Sequence, residues 1–325
     1  MTLKLGGIHH VSSITSHIER NHDFFTRILG MRLVKKTVNQ DNTSSYHLFY
    51  ADAVGSPGTD MTYFDIPIAG RTYEGVSSIN NTAFRITSNE ALDFWVKRFD
   101  EFGVQHGPIE ERFGRKTVQF RDEDLARFIL VVDDGTTTPY GVPWEVEGIP
   151  LEYAIVGLGG VTLTLRDAEK TEKILTDFFG FEKVGTYPSL VENQPDIVVY
   201  STGLGGPAGE IHIEQRSDLP IERPGRGSVH HVALRINNFE EYDQWMEKFD
   251  KLGYATSGKV DRFYFRSIYY RDPNGILFEL ATDQPGFDVD EPMEALGAGL
   301  ALPSFLESKR AEIEAKLHPL SLDEK

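Results

Sequence analysis

Four segments of the chain carry apolar residues three and four positions apart, which is the pattern of a helix with one buried face. Each segment ends at a glycine, where a left-handed backbone conformation can close a helix. These glycines are Gly30, Gly103, Gly180 and Gly253. They follow one another at intervals of 73, 77 and 73 residues (103 − 30, 180 − 103 and 253 − 180). A nearly fixed interval of this kind indicates an internal repeat.

Each predicted helix follows a short strand-like segment and precedes several β-rich segments, so the repeat unit is strand, helix and about three strands (βαβββ). We call the four copies units 1 to 4 and predict an α+β fold. Units 1 and 2 are expected in residues 5–136, units 3 and 4 in residues 150–284, and a C-terminal tail in residues 285–325. Within the tail, a short amphipathic helix is predicted from about Pro303 to Leu317, and the acidic stretch 288–291 is predicted to be a solvated turn.

The composition excludes several classes of protein. The chain has 325 residues and no cysteine, so disulfides, thiolate metal sites and cysteine nucleophiles are excluded. Its net charge of −17 disfavours nucleic acid and anionic membrane surfaces as partners. No apolar run approaches the ~20 residues of a membrane span, and the N-terminus does not resemble a signal peptide. We therefore expect a soluble, cytoplasmic protein, and the sequence leaves a homo-oligomer open.

Two His-His pairs and one buried acid are the strongest chemical signal. The pairs are His9-His10 and His230-His231, each on a predicted first strand, and Glu279 lies inside an otherwise apolar run. A buried carboxylate is costly unless it is paired or bound to a metal. Two histidines and one carboxylate form the facial ligand set of metal sites that keep open coordination positions. Because side chains alternate along a strand, only one histidine of each pair can face the metal.

The chain resembles the vicinal oxygen chelate superfamily, which contains glyoxalases, bleomycin resistance proteins and dioxygenases. The resemblance rests on four βαβββ units with histidine on a first strand and glutamate on a last strand. Within the superfamily, several segments resemble ring-cleaving dioxygenases of hydroquinone and chlorohydroquinone, and together they cover essentially the whole chain. These segments are residues 7–11, 33–37, 46–52, 55–59, 112–115 and 230–279.

The resemblance implies two barrel modules and an iron(II)-dependent, extradiol-type dioxygenase. Its partners would be O2 and a small para-diol aromatic. Such an enzyme would act in the degradation or detoxification of aromatic compounds or quinones. Manganese(II) would suit the same ligands.

The repeat serves as its own control for the ligands. Equivalent first-strand positions are His10, Asn81, Gly160 and His231, and equivalent last-strand positions are approximately Thr62, Leu130, Ile213 and Glu279. Units 2 and 3 therefore offer no ligand pair. Because three ligands must converge on one ion, we predict that units 1 and 4 share the metal-bearing barrel. The remaining histidines are predicted to be structural or surface residues, namely His17, His22, His106, His212 and His318.

The resemblance selects the second histidine of each pair, so that His10, His231 and Glu279 are the implied metal ligands. His9 and His230 are then candidates for moving protons, with a hydrogen-bonded histidine at a strand start as the alternative.

Further roles also follow from the resemblance. Tyr269 and Arg262 are implied to orient the substrate, with a core tyrosine and a surface ion pair as the alternatives. Ser12 stands where the family has threonine and keeps the hydroxyl, and His47 is a weaker candidate for the cavity wall.

Two other classes of function stay open. A glyoxalase-type isomerase of this superfamily would need a fourth ligand near Thr62, where Asp60 and Asp65 are the nearest acids, and a thiol transferase acting on an antibiotic would share the fold. A drug-sequestering protein without catalysis is the third hypothesis, but such members lack metal ligands.

Overall fold

The protein forms two eight-stranded sheets in a computed structural model that describes residues 3–322. The strands of units 1 and 2 are β1 (Ile8–Thr15), β2 (Arg32–Asn39), β3 (Asn42–Ala51), β4 (Asp60–Asp65), β5 (Ser78–Ile86), β6 (His106–Arg112), β7 (Arg115–Arg121) and β8 (Arg127–Val132). Those of units 3 and 4 are β9 (Leu158–Leu165), β10 (Glu182–Tyr187), β11 (Ile197–Ser201), β12 (Glu210–Gln215), β13 (Val229–Ile236), β14 (Val260–Asp261), β15 (Phe265–Arg271) and β16 (Leu277–Pro285).

One helix follows the first strand of every unit, as the apolar pattern predicts. These helices are α1 (Ile18–Asp23), α2 (Asn89–Phe102), α3 (Glu169–Lys173) and α4 (Phe239–Leu252), and α1 and α3 each continue into a π-helical turn. Gly103 and Gly253 close α2 and α4 with φ of 65° and 71°, which only glycine adopts without strain. The helices bury their apolar stripes, and Trp95 and Trp245 are fully buried.

The order of strands brings the outer units together. The first sheet runs β14-β15-β16-β13-β1-β4-β3-β2 and so contains units 4 and 1, whereas the second runs β10-β11-β12-β9-β5-β8-β7-β6 and contains units 3 and 2. Antiparallel pairing of β1 with β13, and of β5 with β9, joins the units within each sheet. The α+β class with two curled sheets, one per module, is confirmed. The limits 5–136 and 150–284 stay a prediction.

The tail packs against the first sheet. Its helix α5 spans Arg310–Lys316, shorter than the predicted 303–317 because a 3₁₀ turn precedes it. The acidic stretch 288–291 is exposed at Asp288 and Val289, as expected of a solvated turn, but Asp290 and Glu291 also bind the ammonium of Lys35, a fully buried side chain. Within residues 3–322, no helix combines the length and apolar character needed to cross a membrane.

Candidate metal centre and substrate cavity

Three side chains from three neighbouring strands, β1, β13 and β16, meet in the first sheet. His10 Nε2 lies 3.3 Å from His231 Nε2 and 3.2 Å from Glu279 Oε2, and His231 Nε2 lies 2.8 Å from the same oxygen. Strand register explains the meeting: on β13 and β16, Ala233 is opposite Glu279, and on β1, His10 is opposite Ala233. All three side chains are buried, and together they form a cluster able to hold a metal ion.

The chemistry of the cluster fits a divalent cation. Glu279 is 0 % exposed, and within the described part of the chain its Oε2 has no hydrogen-bond partner of good geometry. Burial alone would raise the pKa of Glu279, but His10 and His231 outweigh it and hold this pKa well below the usual range. Burial also lowers the pKa of His231. The ionised carboxylate is the form in which glutamate binds a metal.

A second layer of groups orients the three side chains. His9 Nδ1 lies 2.9 Å from His10 Nδ1, and His230 Nδ1 lies 2.8 Å from His231 Nδ1. The first histidine of each pair therefore contacts the second on the side remote from the cluster. Ser267 donates a hydrogen bond to Glu279 Oε1, the carboxylate oxygen that does not face the imidazoles. Such contacts fix the tautomer and direction of metal-ligating side chains.

Tyr269 and Arg262 stand beside the cluster, connected to each other. Tyr269 is the register partner of Glu279, and its ring centroid lies 5.7 Å from that of His231. Arg262 Nε donates to the Tyr269 hydroxyl at 3.1 Å. The same guanidinium pairs with both carboxylate oxygens of Asp41 at 3.1 and 2.9 Å, so the hairpin between β2 and β3 reaches across to unit 4. Burial raises the pKa of Tyr269, so its phenol stays protonated at neutral pH.

A cavity that is partly open to solvent lies beside this cluster. His10, His231, Tyr269 and Arg262 contribute polar groups to its lining, whereas its apolar walls include Phe49, Phe64 and Phe265. Ser12 and His47 also line it, while His9 and His230 do not. Sequence reasoning missed Ser267 and Asp41; strand alternation could have found Ser267, which shares a face with Tyr269.

The position of a fourth ligand is taken by a hydroxyl. Thr62 Oγ1 lies 2.7 Å from Ser12 Oγ and 2.9 Å from His47 Nε2, so its hydroxyl connects these two side chains of the cavity lining by hydrogen bonds. Asp65 is engaged by His318 of the tail, and Asp60 lies outside the metal-binding cluster found among residues 3–322. The described residues therefore offer three ligands and no fourth carboxylate.

The register of the second sheet corrects two of the sequence equivalences. On β9 and β12, Thr162 is opposite His212, as Ala233 is opposite Glu279 in the first sheet. His212, and not Ile213, therefore occupies the position equivalent to Glu279. By the same test Ile129, and not Leu130, is the equivalent in unit 2, because it is opposite Ala83. His212 also faces a cavity of the second sheet.

Comparisons with known proteins agree with this architecture. The family model described as "Glyoxalase/Bleomycin resistance protein/Dioxygenase superfamily" matches residues 7–146 and 157–280. MhqA of Bacillus subtilis (strain 168), named as a candidate ring-cleaving dioxygenase, is 46% identical over 318 residues, covering 98% of this chain and 100% of the relative. The crystal structure of a candidate dioxygenase from Bacillus subtilis subsp. subtilis str. 168 superposes with a TM-score of 0.89 at 34% identity, covering 100% of both chains.

A more distant relative is named for its substrate. The chlorohydroquinone/hydroquinone 1,2-dioxygenase of Sphingobium indicum is 29% identical over 318 residues, covering 95% of each chain. The resemblance found from the His-His pairs and their surrounding segments is confirmed by these matches. The repeat units, their paired sheets and the extent of the family match together establish that the chain belongs to the Glyoxalase/Bleomycin resistance protein/Dioxygenase superfamily.

Proposed function

We propose that this protein is an iron(II)-dependent, extradiol-type dioxygenase that cleaves the ring of para-diol aromatics such as hydroquinone. The observation that carries the proposal is the convergence of His10, His231 and Glu279 on one side of an aromatic-walled cavity. The names of the relatives support the same class of reaction. A divalent iron ion held by these three groups would supply open coordination positions and the redox chemistry that activates dioxygen. Manganese(II) fits the same ligands.

Tyr269 and Arg262 would orient the substrate. A para-diol has its two hydroxyls on opposite sides of the ring, so only one can reach the metal position and the protein must direct the rest. Because the Tyr269 hydroxyl accepts from Arg262, its own proton is available for a substrate oxygen. Asp41 holds the guanidinium of Arg262 from the opposite side and so restrains this pair.

His230 is better placed than His9 to move a proton. An imidazole that uses Nε2 for a metal carries its proton on Nδ1, so His10 and His231 would donate to the histidines that precede them. Partial burial lowers the pKa of His230 to about 4, so it is neutral and able to accept. His230 is exposed to solvent and can exchange that proton, whereas His9 is buried and serves to orient His10.

The cavity favours ring cleavage over the alternatives. Three ligands leave room for both an aromatic oxygen and dioxygen, whereas a glyoxalase-type isomerase would need a carboxylate where Thr62 stands. A drug-sequestering protein without a metal does not explain Glu279, because burying a charged carboxylate without a partner ion is costly. Residue 62 is thus the position that separates the two metalloenzyme hypotheses.

Oxygen uptake tests the proposal. The protein is reconstituted with iron(II) without air and offered hydroquinone, methylhydroquinone and catechol. Uptake with loss of aromatic absorbance on the para-diols is the expected result. Uptake on catechol alone would contradict the substrate class, and no uptake with iron bound would contradict the dioxygenase.

Substitution of each ligand tests the site itself. His10→Ala, His231→Ala and Glu279→Ala should each lose bound metal and activity while far-UV circular dichroism stays unchanged. His106→Ala removes a half-buried imidazole that contacts Asp100 and is not part of the cavity lining, and it should keep both metal and activity. Full metal content in any of the three ligand variants would refute the assignment.

A further inference from the structure

A second cavity lies in the second sheet, at the place that matches the metal centre of the first. Like the first cavity, it is partly open to solvent, and it is somewhat smaller. Gly160 takes the position of His231, and His212 takes that of Glu279, as the strand register shows. Units 2 and 3 thus have a cavity at the equivalent place, but they lack the histidine and glutamate side chains that form the candidate metal site in the first sheet.

Two arginines of the β6–β7 hairpin line this cavity, and they are not equally paired. Arg115 makes two hydrogen bonds of 2.8 Å to the carboxylate of Glu210, which also lies 3.1 Å from His212 Nε2. Glu210 is therefore fully engaged and neutralises Arg115. The segment that carries both arginines, residues 112–115, also contributes to the family resemblance.

Arg112 is left with unused hydrogen-bonding capacity. Its Nη2 reaches Glu110 and Gln119 only at 3.3 Å, and its Nε is buried with no hydrogen-bond partner among residues 3–322. A buried guanidinium N–H without an acceptor is unfavourable, so an acceptor brought by a ligand would be held strongly. Arg112 is paired with Glu110 on its Nη2 side at 3.3 Å, and the free Nε, as part of a cationic group, favours an acceptor that carries negative charge.

The rest of the lining is largely apolar. Ala83, Ile129, Val131 and Pro207 form walls without hydrogen-bonding side chains. The Tyr187 hydroxyl is already used, because it lies 3.0 Å from His212 Nδ1. A ligand that suits this cavity has one anionic group and a compact apolar body.

We propose that the second cavity binds a small, largely apolar carboxylate of the size of benzoate, with its carboxylate on Arg112 and its ring against Ile129 and Val131. The cavity would hold this ligand whether or not the first cavity is catalytic, because the two are built by different sheets.

Binding of benzoate to the metal-free, full-length protein tests the proposal. Calorimetry should show one equivalent bound, and benzamide, the neutral analogue, should bind at least about tenfold more weakly because it cannot form the charge-assisted bonds. Arg112→Gln should weaken benzoate binding by about tenfold or more. Arg121→Gln, a matched change on the same hairpin outside the cavity lining, should leave it unchanged.

Two further measurements separate this site from the first cavity. Arg262→Gln should keep benzoate binding, and loss of binding in that variant would place the ligand in the first cavity and overturn the proposal. In wild-type protein, benzoate should shift the methyl NMR signals of Ile129 and Val131 but not those of Val38, which lines the first cavity. This measurement does not depend on the folding of any variant. Absence of binding at millimolar benzoate, or equal affinity in Arg112→Gln, would refute the proposal.

Discussion

The hydroxyl of Ser267 should control how strongly Glu279 can bind a metal. Ser267 donates to Glu279 Oε1, and both side chains are 0 % exposed, so water cannot replace the bond. Hydrogen bonds to a charged group contribute about 1.5–3 kcal/mol, and Ser267→Ala removes one of them. We expect the free energy of unfolding of the metal-free protein to fall by this amount.

Metal affinity should fall as well. The lost bond frees the carboxylate to rotate away from His10 and His231, and removal of such an orienting contact typically costs about 10–100-fold in metal affinity. Urea denaturation of the metal-free protein measures the first effect, and competition with a chelator for iron(II) or manganese(II) measures the second. Both follow from the same contact, so they should appear together.

Ser13→Ala is the matched control. Ser13 lies on β1, is equally buried, and its hydroxyl makes no hydrogen bond within the described part of the chain. Its removal should leave stability and metal affinity nearly unchanged. An orienting contact predicts a loss of at least about tenfold in metal affinity. If Ser267→Ala is as stable as Ser13→Ala and its metal affinity is within about twofold of wild type, Ser267 does not orient Glu279.

Three further changes test other parts of the structure. Tyr269→Phe should keep a full equivalent of metal but lower kcat by about tenfold or more, as for the loss of a positioned proton donor; an unchanged kcat would make Tyr269 a core residue. Burial raises the pKa of Asp122 from 3.8 to about 7, so the folded state binds its proton more tightly than the unfolded state and stability is lost as the pH rises through this window. Asp122→Asn should remove that loss, which urea denaturation between pH 4 and 8 would measure; parallel profiles for both proteins would contradict it. Lys35→Met should cost about 3 kcal/mol because it leaves Asp290 and Glu291 without their buried cation; adding Asp290→Asn and Glu291→Gln should recover part of it, and no loss in the single variant would show that the tail does not depend on Lys35.

The repeat was predictable because its signals are local. The helix-end glycines recur at a nearly fixed interval, and the histidines stand on strands whose alternation is visible in the sequence. The family resemblance then separated His10 from His9 and His231 from His230, a choice that alternation alone leaves open. Whether the three groups bind metal stays a prediction.

What the sequence could not supply was strand register and the ion pairs between distant residues. A slip of one residue moves every side chain of a strand to the other face, and the equivalences to units 2 and 3 contained such a slip. His212, which faces a cavity, was therefore missed as the equivalent of Glu279. Lys35 and Asp290 lie 255 residues apart, and no local pattern shows that a buried lysine needs the acids of the tail.

The pairing of the first and last units has a consequence for how the protein folds during its synthesis. His10 and His231 are 221 residues apart in sequence, so β1 leaves the ribosome long before its partner β13. The pairing of β5 with β9 joins consecutive units and can form earlier. We therefore expect the second sheet to form before the first sheet is complete. Pairing of distant strands is slow, and an unpaired edge is prone to aggregation. We therefore expect metal binding to be among the last events of folding, and chains that stop before β16 to be captured by quality control rather than to accumulate.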